Sequence, residues 1–111
     1  MPKLFVLVPL LLGSLLAAPA ASAATYEAHV EKGNIVVVTG TSKKAETQRC
    51  ATKVGFNYTD PKLPEKRQFG FQVCPATRIT PGKPTEMCRL DYPVTDITLA
   101  GKVTVTECFP N

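Results

Sequence analysis

Four cysteines, Cys50, Cys74, Cys88 and Cys108, are the side chains of this chain best suited to covalent chemistry. They are separated by 24, 14 and 20 positions, so no close pair such as Cys-x-x-Cys offers half of a zinc site. An even number of widely spaced thiols in a small chain instead supports two disulfides. Three pairings are open. Cys50 and Cys88 fall on the apolar parity of their segments, whereas Cys74 alternates against Phe69, Phe71 and Val73, and Cys108 against Val103 and Val105. Matching like faces favours Cys50–Cys88 with Cys74–Cys108. Matching sequence neighbours gives Cys50–Cys74 with Cys88–Cys108, and a bulge that reverses one parity keeps Cys50–Cys108 with Cys74–Cys88 open.

The other candidates for chemistry are sparse. His29 is the one histidine, and Glu27 and Glu31 flank it as Glu-x-His-x-Glu. An imidazole and two carboxylates are a weak candidate set for zinc or copper. Alternate residues on one strand stand about 6.5–7 Å apart, however, which splays them too widely to converge on one ion. A solvated strand face is therefore expected, with no metal and no cofactor. Ser42 lies in a polar loop without a nucleophile-elbow motif. A thiol nucleophile needs a free cysteine, and all four are expected to be bridged. Asp91 and Asp96 form the kind of carboxylate pair a glycosidase uses, but so would many acids in so small a chain. No enzyme activity is expected.

Charge points the same way. Lys43-Lys44 on one loop and Lys62, Lys66 and Arg67 on another are candidates for an anion-binding patch if the loops gather at one end. The whole chain has 13 Lys and Arg against 9 Asp and Glu. That is far from the dense basic clustering of a nucleic-acid binder, so the expected partner is a protein or a glycan. Asn57-Tyr58-Thr59 matches a glycan acceptor sequence but falls inside a predicted strand.

The N-terminus states an address. Lys3 is the charged residue ahead of an apolar run from Leu4 to Leu16, and small residues follow to Ala21-Ser22-Ala23. A basic start, a short apolar stretch and an Ala-x-Ala exit form a secretory leader. The run contains Pro9 and Gly13 and is shorter than the roughly 20 apolar residues of a spanning helix. Cleavage after residue 23 is expected, leaving residues 24–111 as one secreted or periplasmic domain with no transmembrane span.

The elements that must position these residues read as strands. Tyr26, Ala28 and Val30 alternate with Glu27, His29 and Glu31, the pattern of a half-buried strand. Lys32-Gly33-Asn34 is a turn signal, and Ile35 to Thr39 is a β-branched run suited to a central strand. Gly40 to Gln48 reads as a loop. Cys50, Thr52, Val54, Phe56 and Tyr58 share one parity and predict a core face. Asp60 to Arg67 reads as a solvated loop, and Phe69, Phe71 and Val73 are expected to face inward on the next strand. Pro75 to Pro84 is too rich in proline for regular structure. Thr85 to Tyr92 reads as a strand, and Val94 to Leu99, Ala100-Gly101 and Lys102 to Cys108 as a final hairpin. No segment sustains a helical apolar period. About seven short strands with turns between them predict an all-β antiparallel sandwich with two disulfides.

Three stretches carry a family resemblance. Val36-Val-Val-Thr-Gly40, Val54-Gly-Phe-Asn-Tyr-Thr-Asp60 and Pro81-Gly82 occur in the order seen in immunoglobulin-like domains of bacterial surface and periplasmic proteins. The span Val36 to Pro93 resembles them over about half the chain. The asparagine usual after the first of these strands is absent, with Lys44 or a neighbour in its place, and the four cysteines lie outside the pattern. The resemblance implies an immunoglobulin-like sandwich acting as an accessory or adhesive module without an active site. The alternative expectation is a secreted inhibitor or effector that presents the Pro-rich loop 75–84, pinned between Cys74 and Cys88, to a target enzyme.

Overall fold

The computed structural model describes residues 24–111; the expected leader lies outside the described residues. Six strands follow one another: β1 (Thr25–Glu31), β2 (Ile35–Thr41), β3 (Gln48–Asp60), β4 (Leu63–Thr77), β5 (Thr85–Asp91) and β6 (Thr95–Pro110). They form two antiparallel three-stranded sheets, ordered β1-β2-β5 and β4-β3-β6. The β1–β2 turn has positive φ at Lys32 (55°) and Gly33 (78°), the backbone a tight hairpin needs.

The core lies between the sheets. Val36 and Val38 of β2 meet Val54 and Phe56 of β3, with Cys74, Met87 and Ile97 completing the buried cluster. Tyr26, Ala28 and Val30 pack against it from β1, as their alternation predicts. β2 is the central strand of its sheet, and Val36, Val37 and Val38 are all buried.

Six strands replace the expected seven because the final hairpin does not form. Residues 95–110 run as one strand, and Ala100-Gly101 is a bulge rather than a turn. Gly55 pairs with Ala100, yet Lys53 pairs with Thr104, so extra β6 residues loop out against β3. Gly101, at φ 92°, supplies the left-handed backbone that such a bulge accommodates. The loop expected over residues 60–67 also contracts. Asp60 already pairs with Leu63 across Pro61-Lys62, and Asp60 Oδ1 accepts the Lys62 N–H at 2.9 Å.

The largest correction concerns β4. Phe69, Phe71 and Val73 point outward, and Gln72 and Cys74 fill the core instead. The Gln72 amide explains part of this. Its Nε2 donates to the Val36 carbonyl at 3.0 Å, and its Oε1 accepts the Tyr92 hydroxyl at 2.8 Å. A buried glutamine is tolerated when both ends are satisfied in this way.

The disulfides are Cys50–Cys108 and Cys74–Cys88, so the pairing favoured by like faces is overturned. Cys50 and Cys108 are direct partners across β3 and β6, with Cα atoms 4.0 Å apart. One register shift, at Ala51/Thr52, falls between Val105 and Cys108 and breaks the simple alternation from Val103 and Val105, so exposed Cys108 on β6 reaches buried Cys50 across the strand pair. Cys74 and Cys88 join β4 of one sheet to β5 of the other. Two such bonds suit an oxidising environment. Each contributes on the order of 3–4 kcal/mol by restricting the unfolded chain.

Non-reducing peptide mapping should therefore recover Cys50 linked to Cys108 and Cys74 linked to Cys88. Tyr92→Phe should cost about 1–2 kcal/mol in urea unfolding, since it strips a donor from the buried Gln72 carbonyl. An unchanged midpoint and slope would contradict the role given to that hydrogen bond.

Candidate binding faces

Each sheet has an outer side, and the strand register places residues there in rows. On β1-β2-β5 the rows are Glu27–Thr39–Glu86, His29–Val37–Arg89 and Glu31–Ile35–Asp91. The sequence-predicted set Glu27, His29 and Glu31 thus lies on one exposed strand face, but it is not organised around an ion. His29 Nε2 is 2.8 Å from Glu31 Oε2, and Arg89 donates to Glu31 Oε1 at 2.6 Å while also pairing with Glu86 at 3.0 Å. The carboxylate that a metal would need is engaged by a guanidinium. No metal-ligating cluster of three or more such side chains occurs among the described residues. Val37, between His29 and Arg89, is only 1% exposed, so this side is a charged cover over aliphatic residues.

The outer side of β4-β3-β6 differs in kind. Its rows are Arg67–Thr59–Thr95, Phe69–Asn57–Thr98, Phe71–Gly55–Ala100 and Val73–Lys53–Thr104. Phe69, Phe71 and Val73 form a ridge and are 52%, 54% and 59% exposed. The two rings meet edge to face at 4.8 Å, and Lys53 Nζ lies 4.4 Å from the Phe71 ring centre. Phe69 leans over Gly55, where a Cβ would fall 2.8 Å from its ring. Glycine at 55 therefore seats that ring, and the ring shields backbone that glycine leaves bare. Arg67 donates to the Thr59 and Thr98 hydroxyls at 3.0 and 2.8 Å. Toward the far end Arg49 sits 5.9 Å from the Phe109 ring and donates to the Pro110 carbonyl.

The two basic loops do not gather. Lys43 and Lys44 precede the start of β3 at Gln48, whereas Arg67, next to Lys66, pairs with Thr59 near its other end. Eleven strand residues separate those ends by about 35 Å. Ser42 is likewise turned to structure: its hydroxyl lies 2.7 Å from the Lys44 carbonyl and 2.8 Å from Glu46 Oε2. Asp91 accepts from the Asn34 amide at 2.7 Å.

The Pro-rich segment 75–84 is not irregular throughout, since β4 continues through Pro75 to Thr77, and the remaining loop is clamped at its base by the Cys74–Cys88 bridge. Ile79 is buried against Gly40, the Gly82 N–H donates to the Ser42 carbonyl at 2.8 Å, and the Thr80 N–H donates to Thr85 Oγ1 at 2.9 Å. Residues 80–84 remain exposed at its tip.

Sequence alternation missed the aromatic ridge because it treats apolar side chains as inward. The signal that was present is Cys74 itself. A cysteine that bridges sheets must face the core, which turns residues 69, 71 and 73 outward on the same strand.

The Arg89 and His29 contacts hold the Glu31 carboxyl at a pKa of about 2, below its ordinary 4.5. A depressed carboxylate adds stability above the unfolded value and loses it as pH falls toward the folded one. Stability conferred by Glu31 should be complete above about pH 4.5 and fade toward pH 2, and salt should weaken it because the pair is exposed. Urea titrations of wild type and Glu31→Gln across that window should converge at the acidic end. Parallel curves would refute the linkage. No protein-family model, curated protein or solved structure matches this chain.

Proposed function

We propose that this chain is an exported, non-enzymatic binding or accessory module of the periplasm or cell exterior, and that it binds through the outer side of β4-β3-β6. The observation that carries this reading is the ridge of Phe69, Phe71 and Val73, each more than half exposed. Contiguous uncovered apolar side chains are uncommon on proteins that work alone and mark interaction sites. The ridge stands on a strand tied by one disulfide to the opposite sheet, and the neighbouring β3 is tied by the other to β6. A preorganised face loses little conformational freedom on binding. Export is supported by the leader pattern and by two disulfides. Two packed antiparallel sheets are the layer arrangement that immunoglobulin-like modules use, and the motif resemblance falls on β2, β3 and the loop before β5.

A second reading has its own support. The Cys74–Cys88 bridge closes a 14-residue separation around the Pro-rich loop, whose tip is exposed. A clamped, proline-stiffened loop suits an inhibitor that inserts into a target enzyme.

Affinity capture with the purified oxidised protein separates the two. Capture from the source secretome or envelope should be lost with Phe71→Ser/Val73→Ser and kept when residues 76–83 are replaced by a Gly-Ser linker. The reverse pattern would establish the loop reading, and indifference to both changes would eliminate both.

A further inference from the structure

The two outer sides carry opposite charge. The rows on β1-β2-β5 hold Glu27, Glu31, Glu86 and Asp91 against Arg89 and His29. The outward positions of β4-β3-β6 hold Arg67, Lys53 and Arg49, with Glu107, paired to Ala51, and Glu65, exposed two residues before Arg67, as the acids on that side. The molecule is therefore polarised across its thickness, acidic on one side and basic and aromatic on the other. Such a charge distribution turns the basic side toward a negatively charged surface before contact.

The chemistry of the basic side narrows that surface. Phe69, Phe71 and Val73 have no polar tip, so their gain on burial comes from leaving water for an apolar medium. The two rings stand at 86° to each other and share no plane on which a sugar ring would stack. Cations lie beside rings at Lys53–Phe71 and Arg49–Phe109. Rings at the acyl boundary with ammonium and guanidinium groups at phosphate level are the arrangement of an interfacial lipid anchor. The threonine and asparagine column beside the ridge would lie at headgroup level. A second copy fits less well: the acidic side matches in charge, but Val37 is sealed there and no apolar patch on those rows receives Phe71 and Val73.

We propose that the Phe69–Val73 ridge, with Arg49, Lys53 and Arg67, docks this protein flat on an anionic phospholipid bilayer. The proposal rests on the binding-module reading and names its partner. Vesicle flotation with the oxidised protein tests it. Binding to mixed phosphatidylglycerol–phosphatidylcholine vesicles should exceed binding to phosphatidylcholine alone and fall as salt rises. Lys53→Gln should weaken it about fivefold, and Phe71→Ser/Val73→Ser about tenfold or more. Glu27→Gln, on the acidic side, should leave it unchanged. All these side chains are solvent-facing, and retained disulfides with a native urea midpoint will show that the variants fold.

Failure to float with either vesicle, or equal binding to both, overturns the proposal. So does a dimer in sedimentation that Phe71→Ser abolishes, since the ridge would then be covered by a second copy. If vesicles are not bound but a protein or glycan is captured through the ridge, the lipid assignment falls and the binding module stands. If neither is bound through the ridge, both readings fall.

Discussion

Cys74 and Cys88 belong to different sheets, so the bond between them is possible only if both side chains enter the space between those sheets. That requirement fixes which side of β4 is core. Strand side chains alternate strictly, so Cys74 inward places Gln72 inward and Phe69, Phe71 and Val73 outward. Gln72 then has to be satisfied where it lies, and the Val36 carbonyl and Tyr92 hydroxyl do this from the opposite sheet and from the segment joining β5 to β6. A covalent bond and two hydrogen bonds thus cross the same interface, and each depends on the orientation the others impose.

The consequence is an inside that is less aromatic than composition suggests and an outside that is more so. The buried cluster combines Val36, Val38 and Val54 with Phe56, Met87, Ile97 and Cys74, so it holds a single phenylalanine. Phe56 makes tilted contacts with Tyr58 and Tyr92, so aromatic packing survives inside at one end of the sandwich. Chain length limits how much apolar surface a domain of this size can hide. Covalent bridges allow two phenylalanines and a valine to be left at the surface.

The two outer sides illustrate how register converts sequence into charge distribution. Glu27 and Glu31 of β1 are far in the chain from Glu86 and Asp91 of β5 but share one side of the sheet because both strands flank β2. Arg89 sits among them and is held by Glu31 and Glu86, which confines its charge to that side. Arg49, Lys53 and Arg67 collect on the other sheet by the same alternation, beside Phe109 and Phe71.

Local pattern in the sequence was sufficient for several features. The alternation of Tyr26 to Glu31, the β-branched Ile35 to Thr39 and the inward parity of Cys50, Thr52, Val54 and Phe56 depend on each strand having one wet and one dry side, a property of the segment. The exclusion of helix from the described residues and the even cysteine count follow equally from nearby residues. Tertiary structure decided the rest. Which cysteines meet depends on β3 lying beside β6 and on bulges that reset alternation, and neither is encoded at the cysteines themselves. The turn at Ala100-Gly101 became a bulge because β3 continues past it as a partner. The outward Phe69, Phe71 and Val73 have the most apolar pattern in their segment. Only the sheet-to-sheet bridge and the hydrogen-bonded Gln72 explain why a polar amide won the core, since burial is a competition among whole faces rather than a property of single residues.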